Sequence, residues 1–368
     1  MTVPTETIWP LDPHTVAKHE ILKLYLQRWF PIVNTFHNRV IYVDGFCGPG
    51  RYKGGEPGSP IIVLDLAANH VKPLTGEIIF RFIDERKDRI EHLESELAER
   101  RPPSHFNVRA VHGRFDEKLK ALLDWIDQKK VDLGPTFVFI DPFGFSGVPY
   151  TLVRRTLEKP RCEVLITFMV ESMNRFLDHP TEKIPEHIIE AFGTRDCLGI
   201  DRSSPNRIGL LRDIYQKQLE KAAKFVRYFE MRDKTNHVEY LLFFATNHRL
   251  GHIKMKEAMW AVDPEGEFRF SDVTDRAQQV LFGSDQPALL WPALREAFSG
   301  REVLTDEIQQ FVEDRTAFLD KHMKAALREH EDSALPLSER IQVRDIKADG
   351  KKRMKGKFPK GVYVTFPA

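Results

Sequence analysis

The sequence predicts an α/β fold in which helices surround an open, mostly parallel sheet, followed by a smaller C-terminal module. Five apolar, strand-like runs alternate with helix-patterned segments, which is typical of such sheets. The chain has 368 residues, enough for about two domains at roughly 150 residues each. The composition shifts at about residue 287. We therefore expect a main domain over 1–286 and a second module over 287–368.

The main domain is expected to begin with a helix and then to alternate strands and helices. Ile21, Leu22, Tyr25 and Trp29 recur at helical spacing. The predicted strands are 40–43, 77–83, 107–111, 135–140 and 163–170. The fourth and fifth are almost unbroken apolar runs, as in central parallel strands that are covered on both faces. Open α/β sheets bind ligands at the carboxyl ends of their strands, so we expect the functional site there.

A helical and polar insertion is predicted from about residue 178 to 225, where we expect it to cap the sheet. The segments 238–246 and 252–262 are expected to return to the sheet as a strand and a helix. Beyond residue 287, two helices precede two strand-like runs that flank a lysine-rich tip. This order is typical of a small winged-helix module. The alternative is a C-terminal extension that packs on the main sheet.

The composition favours a folded protein and excludes several classes. Hydrophobic residues make up 42% and charged residues 30%, unlike the apolar-poor composition of disordered chains. The longest apolar run is far shorter than the about 20 residues of a membrane helix, and residues 1–20 lack a secretory pattern. We expect a cytoplasmic protein with no membrane partner. Cys47, Cys162 and Cys197 are too widely spaced for a disulfide framework or a zinc site, and no metal site is expected.

Positive charge is concentrated near the C-terminus. The net charge of the chain is 55 − 54 = +1, whereas residues 341–360 contain eight Lys or Arg against two Asp, a local charge of 8 − 2 = +6. Such a segment can bind the phosphate backbone of a nucleic acid. The candidate phosphate-binding residues are Lys351, Lys352, Arg353, Lys355 and Lys357.

The first candidate site is the loop after the first strand, where Asp44 precedes Phe46, Gly48 and Gly50. Glycine lets the backbone approach a ligand closely and tolerates positive φ, so these four residues are candidate cofactor-binding residues. Their spacing matches neither the P-loop nor the dinucleotide pattern, and a tight strand-to-helix turn is the alternative. Ser59 is expected to cap the helix that follows.

Acidic residues follow the next two strands. Asp84, with Glu85 beside it, lies at the end of the second strand, where a carboxylate can accept both hydroxyl groups of an adenosine ribose. Helix capping is the alternative role for Asp84. Asp116 follows the third strand and could face an adenine amino group, although an acid in the first turn of a helix is the favoured interpretation.

The third candidate site follows the fourth strand. It consists of Asp141, Pro142, Phe143, Gly144 and Phe145. A carboxylate and a prolyl carbonyl here can accept hydrogen bonds from an amine while an aromatic ring stacks on a planar base. Such acceptors stabilise the charge that develops as an exocyclic amine attacks, which suits methyl transfer to nitrogen. Plain turn chemistry is the alternative.

Four further polar residues are interpreted as structural. His14, Lys18 and His19 could reach over a cofactor from the first helix, but a solvated helix face is favoured. Cys47 lies within the glycine loop with no histidine nearby in the sequence, so we interpret it as a small buried residue and not as a nucleophile.

Taken together, these motifs closely resemble those of the three-Cys-motif partner proteins (TcmP). The resemblance is carried by Lys18-His-Glu-Ile-Leu, Asp44-Gly-Phe-Cys-Gly-Pro-Gly-Arg-Tyr, Asp141-Pro-Phe-Gly, Lys254-Met-Lys-Glu-Ala-Met-Trp and the Gly-Val-Tyr-Val-Thr-Phe ending. It covers most of the chain. It implies a bacterial protein, often associated with mobile elements, encoded beside a partner that has three cysteines of radical-SAM type. The scattered cysteines of this chain are not that motif.

The resemblance also implies a Rossmann-like class I methyltransferase sheet that binds S-adenosylmethionine. The residues that match the family's site are Asp44, Gly48, Gly50, Asp84 and 141–144. Asp-Pro-Phe-Gly is similar to the motif of tRNA guanine-N2 methyltransferases and, more loosely, to the Asp-Pro-Pro-Tyr of adenine-N6 enzymes. Because Phe143 replaces the second proline, either Phe143 or Phe145 could stack on the target base.

We therefore expect an S-adenosylmethionine-dependent methyltransferase that methylates an exocyclic amine of a nucleobase in tRNA or DNA. The alternative is a catalytically silent protein of the same fold that serves as an adaptor for the three-cysteine partner. A nuclease or glycosylase is not supported, since the sequence contains no PD-(D/E)xK pair and no histidine cluster for a metal.

Overall fold

A computed structural model of the chain describes residues 4–181, 183–263, 269–271, 286–332 and 334–368. Within these ranges the chain divides into two compact units. The first contains residues 4–262 and 269–271, and the second contains the described residues from 286 onward. Each unit has a hydrophobic core of its own. None of the described helices is long and apolar enough to cross a membrane.

The first unit begins with helix α1 (Pro13–Phe36), which is capped by Asp12. The Asp12 carboxylate accepts a hydrogen bond from the backbone N–H of Thr15 at 2.8 Å, the usual N-cap arrangement. The helix packs on the sheet, where the Tyr25 ring lies 5.3 Å from that of Phe137. The predicted apolar face is confirmed, since Ile21, Leu22, Tyr25 and Trp29 are all buried.

Eight described strands form one sheet in the first unit. They are β1 (Arg39–Asp44), β2 (Glu77–Asp84), β3 (Phe106–His112), β4 (Thr136–Ile140), β5 (Cys162–Phe168), β6 (Phe225–Arg232), β7 (Val238–Thr246) and β8 (Arg269–Ser271). Their order is β3-β2-β1-β4-β5-β7-β6-β8. Of these strands only β7 runs antiparallel to its neighbours. This order with one reversed strand is the Rossmann-like arrangement of class I methyltransferases, which confirms the predicted fold class.

Helices connect the strands and cover the sheet. They are α2 (Ser59–Ala68), α3 (Lys87–Arg100), α4 (Phe115–Lys129), α5 (Tyr150–Leu157), α6 (Val170–Phe176), α7 (Lys183–Phe192), α8 (Arg207–Glu220) and α9 (Arg249–Val262). As predicted, β4 and β5 are buried along their whole length, because both of their faces are covered.

The segment predicted as a helical insertion, 178–225, contains α7, α8 and a short 3-10 helix (Asp196–Gly199), and α6 precedes it. The Tyr215 ring of α8 stacks 3.8 Å from Phe168. Strand β5 ends at Phe168 and not at residue 170. Strand β6 begins at Phe225, where the predicted helical segment ends, and the sequence analysis predicts no strand there. The strand is half-exposed, and charged residues interrupt its apolar ones, so it lacks the continuous apolar run of a buried strand.

The sheet order places two of the candidate sites side by side. From β1 the chain moves outward to β2 and β3, and it later returns to the other side of β1 to form β4. Strands β1 and β4 therefore meet where the strand order reverses, which is the usual ligand site of an open α/β sheet. The backbone N–H of Gly45 donates to the Phe139 carbonyl at 2.9 Å, so the loops after β1 and β4 leave the sheet together.

The second unit contains three helices and a small antiparallel sheet among its described residues. The helices are α10 (Gln286–Phe298), α11 (Thr305–Arg315) and α12 (Asp320–His330), and the strands are β9 (Glu302–Leu304), β10 (Gln342–Val343) and β11 (Tyr363–Thr365). The strand order is β10-β11-β9. Leu290, Ile308, Leu327 and Val364 are fully buried in its core. The basic segment lies between β10 and β11.

Candidate functional site

The loop after β1 requires glycine at two positions. Gly48 has φ +61° and Gly50 has φ +83°, the left-handed region that favours glycine. A Cβ atom on Gly48 would lie 3.1 Å from the Trp9 ring, and one on Gly50 would lie 2.7 Å from Leu93. The loop is closed by a hydrogen bond from the N–H of Gly58 to the carbonyl of Gly50 at 2.8 Å. These contacts leave no room for larger residues.

Asp44 lies beneath this loop and not in an open cavity. It is fully buried and accepts hydrogen bonds from the backbone N–H of Phe46 at 3.3 Å and from the Ser59 hydroxyl at 2.6 Å. Burial raises the pKa of Asp44 from 3.8 to about 7, although both hydrogen bonds act against this shift. The prediction that Ser59 caps α2 is wrong: Gly58 is the N-cap, because the Ser59 side chain is bound to Asp44.

Asp84 joins the glycine loop to the end of β2. Its carboxylate accepts hydrogen bonds from the backbone N–H of Gly48 at 3.1 Å and of Arg86 at 2.8 Å. The Arg89 guanidinium lies 3.7 Å from the same carboxylate. Burial raises the pKa of Asp84, and these three groups oppose the rise. Asp84 thus has a structural role, because it fixes the loop, and it also lines a cavity.

Two cavities lie at this edge of the sheet. The outer cavity, of about 150 Å³, is lined by residues that include Asp84, Glu85, Asp116 and Gly144, together with three arginines, Arg86, Arg89 and Arg114. The inner cavity, of about 40 Å³, is lined by residues that include Lys18, Gly48, Gly50 and Asp141. Phe46, Pro142 and Phe143 line both. The structure therefore brings most of the predicted cofactor and catalytic residues together.

Two of the predicted residues line neither cavity. Asp44 is covered by the loop, as described above. The Phe145 ring lies 6.1 Å from that of Phe176 and packs against the hydrophobic core. Of the two candidate stacking rings, only Phe143 lines the cavities. Asp116 lines the outer cavity while accepting two hydrogen bonds from Arg114 at 3.1 and 2.7 Å.

Asp141 forms an ion pair that the sequence did not predict. The Lys18 ammonium lies 2.6 Å from both carboxylate oxygens of Asp141. The Thr167 hydroxyl at the end of β5 donates to Oδ1 at 2.6 Å. An ionised carboxylate has about four lone-pair sites, and these contacts use three of them. One acceptor site on Oδ2 therefore remains.

The interpretation of His14, Lys18 and His19 as a solvated helix face is wrong. All three are buried, at 4%, 3% and 7% exposure. His14 pairs with Glu239 at 2.8 Å. Burial, with a further effect of the Lys18 charge, lowers the pKa of His19 to about 3. The imidazole in the inner cavity is therefore neutral at ordinary pH.

Residues 4–12, which we call the N-terminal strap, lie across the glycine loop. The Trp9 ring contacts the Gly48 position and lies 5.4 Å from the Phe143 ring. The Arg89 guanidinium lies 4.6 Å from the Trp9 ring, within cation–π range. Phe143 lines both cavities, whereas Trp9 lines only the inner one of the two.

Hydrogen bonds from backbone and side-chain groups hold the strap in place. The N–H of Lys53 donates to the Trp9 carbonyl at 2.9 Å, and the Arg89 side chain donates to the Pro4 carbonyl at 2.9 Å. Thr7 also donates to Asp88. Sequence reasoning missed Trp9 because an irregular segment carries no periodic signal.

The basic segment of the second unit differs from the prediction at Arg353. Lys351, Lys352, Lys355 and Lys357 are exposed. In contrast, the Arg353 side chain is 2% exposed and pairs with the Glu331 carboxylate. That carboxylate also accepts the backbone N–H of Gly356 at 3.0 Å. Arg353 therefore fixes the tip of the segment and is not free to contact phosphate.

No model of a known protein family matches the chain, and no curated protein matches it. Among solved structures it is similar to Trm1 from Pyrococcus horikoshii in complex with S-adenosyl-L-methionine, at 14% identity and a TM-score of 0.37; the match covers 70% of this chain and 61% of that one. A putative O-methyltransferase from Klebsiella pneumoniae has 11% identity and a TM-score of 0.34, over 65% of this chain and 92% of that one. The O-methyltransferase from Bacillus cereus in complex with SAH has 12% identity and a TM-score of 0.34, over 64% and 82%. At these values the likeness says nothing about activity.

Proposed function

We propose that the chain is an S-adenosylmethionine-dependent methyltransferase that methylates an exocyclic amine of a nucleobase in a nucleic acid. One observation carries the proposal. Asp84 and Asp141, from strands that are distant in the sequence, reach adjoining cavities at the carboxyl edge of a class I methyltransferase sheet. The glycine loop lies against both strand ends. The TcmP resemblance supports the same cofactor.

The residues at this edge fit the cofactor in kind. The close backbone approach at Gly48 and Gly50 would hold its methionine part, Asp84 and Glu85 would accept ribose hydroxyl groups, and Asp116 would lie near the adenine. Both cavities are smaller than the about 300 Å³ at the lower end of typical ligand pockets. A ligand that spans both cavities would lie against Phe143, which lines both, and the inner cavity beside Trp9 would have to widen to hold it.

The chemistry that the cofactor supplies is a methyl group on a positively charged sulfur. The chain's own contribution is to hold the acceptor. The free site on Asp141 Oδ2 and the Pro142 carbonyl would accept the two N–H bonds of an amine, which favours the nitrogen lone pair for attack. Lys18 and Thr167 fix the carboxylate in position. Phe143 would stack on the base.

The second unit would bind the phosphate backbone. Its element order, with a strand after the first helix and a two-stranded ribbon after the third, supports the proposal of a winged-helix module over 287–368. The four exposed lysines of the ribbon tip supply positive charge. The nearby Asp349 carboxylate binds the Lys347 ammonium at 3.1 Å and accepts the backbone N–H of Lys351 at 3.1 Å. Loss of affinity with added salt is the expected signature.

The test is transfer of tritiated methyl groups from S-adenosylmethionine to mixed tRNA and to DNA. We expect label in one of them. Asp141→Asn should lower the rate by about 100-fold while calorimetry still detects S-adenosylmethionine. Asp124→Asn, on the outer face of α4, is the matched control and should leave the rate unchanged. No binding and no transfer by the wild-type protein would overturn the proposal.

A second candidate function is a catalytically silent adaptor for a three-cysteine radical-SAM-like partner, which the TcmP resemblance implies. The observation that favours it is the small volume of the two cavities at this edge, about 40 and 150 Å³. For this function, the partner should co-purify with the chain, no acceptor should gain label, and Asp141→Asn should leave the complex intact.

A further inference from the structure

A third cavity lies at the opposite edge of the main sheet. It is about 250 Å³ in volume and is formed between α1 and α9, next to the amino ends of β4 and β5. Tyr25, Trp29 and Val33 of α1 form one side, and Leu250 and Gly251 of α9 form the other. Because the candidate methyl-transfer site occupies the carboxyl ends of the strands, this cavity is separate from it.

The cavity has an apolar interior that reaches the surface. Tyr25 and Trp29 are buried, whereas Phe36 is 77% and Leu250 is 47% exposed. Exposed large apolar residues around a cavity are a common mark of ligand sites. Its volume exceeds that of an engineered cavity of about 150 Å³ that binds benzene. The space therefore suits an apolar body larger than one benzene ring.

The acidic group of the cavity is already engaged. Glu163 is buried at its base, where its carboxylate accepts a hydrogen bond from the Tyr25 hydroxyl at 2.6 Å and another from the Thr246 hydroxyl at 2.6 Å. Gly251 permits this arrangement, because a Cβ atom there would lie 2.3 Å from Glu163 Oε1. No further polar partner is needed at the base.

The unengaged polar groups of the cavity are cationic or basic. The Arg161 Nε is buried without a hydrogen-bond partner, although another nitrogen of this guanidinium binds Asp132. Arg161 also has φ +63°, a strained conformation for a residue with a side chain. Among the described residues, none hydrogen-bonds to the ring of His37 or of His248. Burial and the charges of Arg161, Lys224 and His37 lower the pKa of His248, so these groups lie close together.

We propose that this cavity binds a small carboxylic acid with an apolar body, the body lying between α1 and α9 and the carboxylate lying at Arg161. A carboxylate would satisfy the free Nε–H as a charge-assisted hydrogen bond. A ring N–H of His37 or His248 could donate to the second oxygen. The ligand would thus fill the apolar volume and accept a hydrogen bond from the Arg161 Nε–H. This inference does not depend on the proposed methyl transfer.

The experiment is calorimetric titration of the full chain with octanoate, with octanol and with acetate. We expect saturable binding of octanoate at one site, about tenfold weaker binding of octanol because it lacks the charge, and no measurable binding of acetate because it lacks the body. Arg161→Gln should weaken octanoate about tenfold and leave octanol unchanged. Arg161→Lys keeps the charge and should retain part of the affinity.

Two matched variants separate binding from folding. Arg154 is an exposed arginine of α5 that pairs with Glu158 and lies outside the cavity. The Arg154→Gln variant should therefore bind octanoate like the wild type. Leu250→Asp places a charge at the mouth and should weaken both octanoate and octanol, while the thermal midpoint reports whether the chain still folds. Equal octanoate affinity for Arg161→Gln and Arg154→Gln would overturn the proposal. The proposal would also be overturned if the chain formed a dimer that Leu250→Asp dissociates but octanoate leaves intact. The cavity would then be a protein interface.

Discussion

The Lys18 ammonium lies 2.6 Å from both carboxylate oxygens of Asp141, which joins the first helix to the end of β4. Both side chains are largely buried, at 4% and 20% exposure. A buried ion pair gives little net stability relative to apolar residues, but the loss of one partner leaves an uncompensated charge. The pair therefore makes each of its members difficult to replace alone.

A double-mutant cycle should detect this dependence. We expect Lys18→Met and Asp141→Asn each to lower the free energy of unfolding by about 3 kcal/mol. The double variant should recover part of this loss, with a coupling energy of about 1–3 kcal/mol. Urea unfolding measures all four proteins. The exposed pair Lys120 and Asp124, one turn apart on α4, is the control and should show a coupling below about 0.5 kcal/mol. Strict additivity at Lys18 and Asp141 would contradict the prediction.

Removal of the Trp9 ring should open the cleft. Trp9 contacts the Gly48 position and Phe143 and lines the inner cavity, so Trp9→Ala enlarges that cavity while the rest of the strap keeps its hydrogen bonds. We expect S-adenosylmethionine to associate about tenfold faster, because binding then requires no conformational change. Stopped-flow measurement with Trp125→Ala, an exposed tryptophan of α4, provides the control. Equal association rates for the two variants would show that the strap is not a barrier.

The raised pKa of Asp44 predicts a pH dependence of definite sign. The carboxyl group has a pKa of about 7 in the folded chain against an ordinary 3.8. Between these values the folded state holds a proton that the unfolded state has lost, so stability falls as pH rises from about 4 to about 7. Asp44→Asn lacks this titration and can keep the hydrogen bond from Phe46.

The measurement is the difference in unfolding free energy between Asp44→Asn and the wild type from pH 4 to pH 8. This difference should grow with pH by up to about 4 kcal/mol and level off above pH 7. His19, whose lowered pKa has the opposite effect on stability, is present in both proteins and cancels. A difference that stays constant with pH would mean that Asp44 titrates normally.

Two glycines of one loop provide a matched test of the cofactor cradle. Gly48 and Gly55 both have positive φ, but a Cβ atom would lie 3.1 Å from Trp9 at Gly48 and in open space at Gly55. Alanine should cost about 1 kcal/mol of stability at Gly55 through its backbone conformation alone, and more at Gly48, where the Trp9 ring must also move. Only Gly48→Ala should also lower the calorimetric affinity for S-adenosylmethionine, by about tenfold. Similar losses of affinity in both variants would place the effect in the backbone and not in the cradle.

Loss of charge should affect nucleic-acid binding at Lys355 and stability at Arg353. Lys355 is exposed, so Lys355→Gln should reduce the slope of log affinity against log salt for DNA or tRNA by about 0.9 without a change in stability. Arg353 is buried against Glu331, so Arg353→Gln should lower the unfolding free energy by about 3 kcal/mol. Filter binding at several salt concentrations and thermal unfolding measure the two effects. An unchanged salt slope for Lys355→Gln would remove that residue from the phosphate contacts.

The sequence predicts the sheet well because its central strands are buried on both faces. Strands such as β4 and β5 then appear as continuous apolar runs, and the residues that follow them are placed at one edge by topology alone. Strand β6 escapes prediction because it is half-exposed and carries Arg227, Glu230 and Arg232. Its pairing with β7, and not its own pattern, makes it a strand.

The site is predicted only in part, because its remaining members depend on contacts between distant residues. Lys18 stands at helical spacing before Ile21, Leu22 and Tyr25, so it belongs to the buried face of α1. This signal was present in the sequence, but a lysine there is buried only because Asp141, 123 residues later, supplies the opposite charge. No local pattern reveals that partner.

The reversed strand has a consequence for biosynthesis. Strand β5 ends at Phe168, whereas its neighbour β7 begins only at Val238, so a nascent chain emerging from the ribosome exposes one apolar edge of β5 until the helical insertion and β6 have been synthesised. Unpaired strand edges of this kind promote aggregation. Fragments that stop before Val238 should therefore precipitate when expressed, and the first unit should acquire protease resistance only after β7 leaves the exit tunnel.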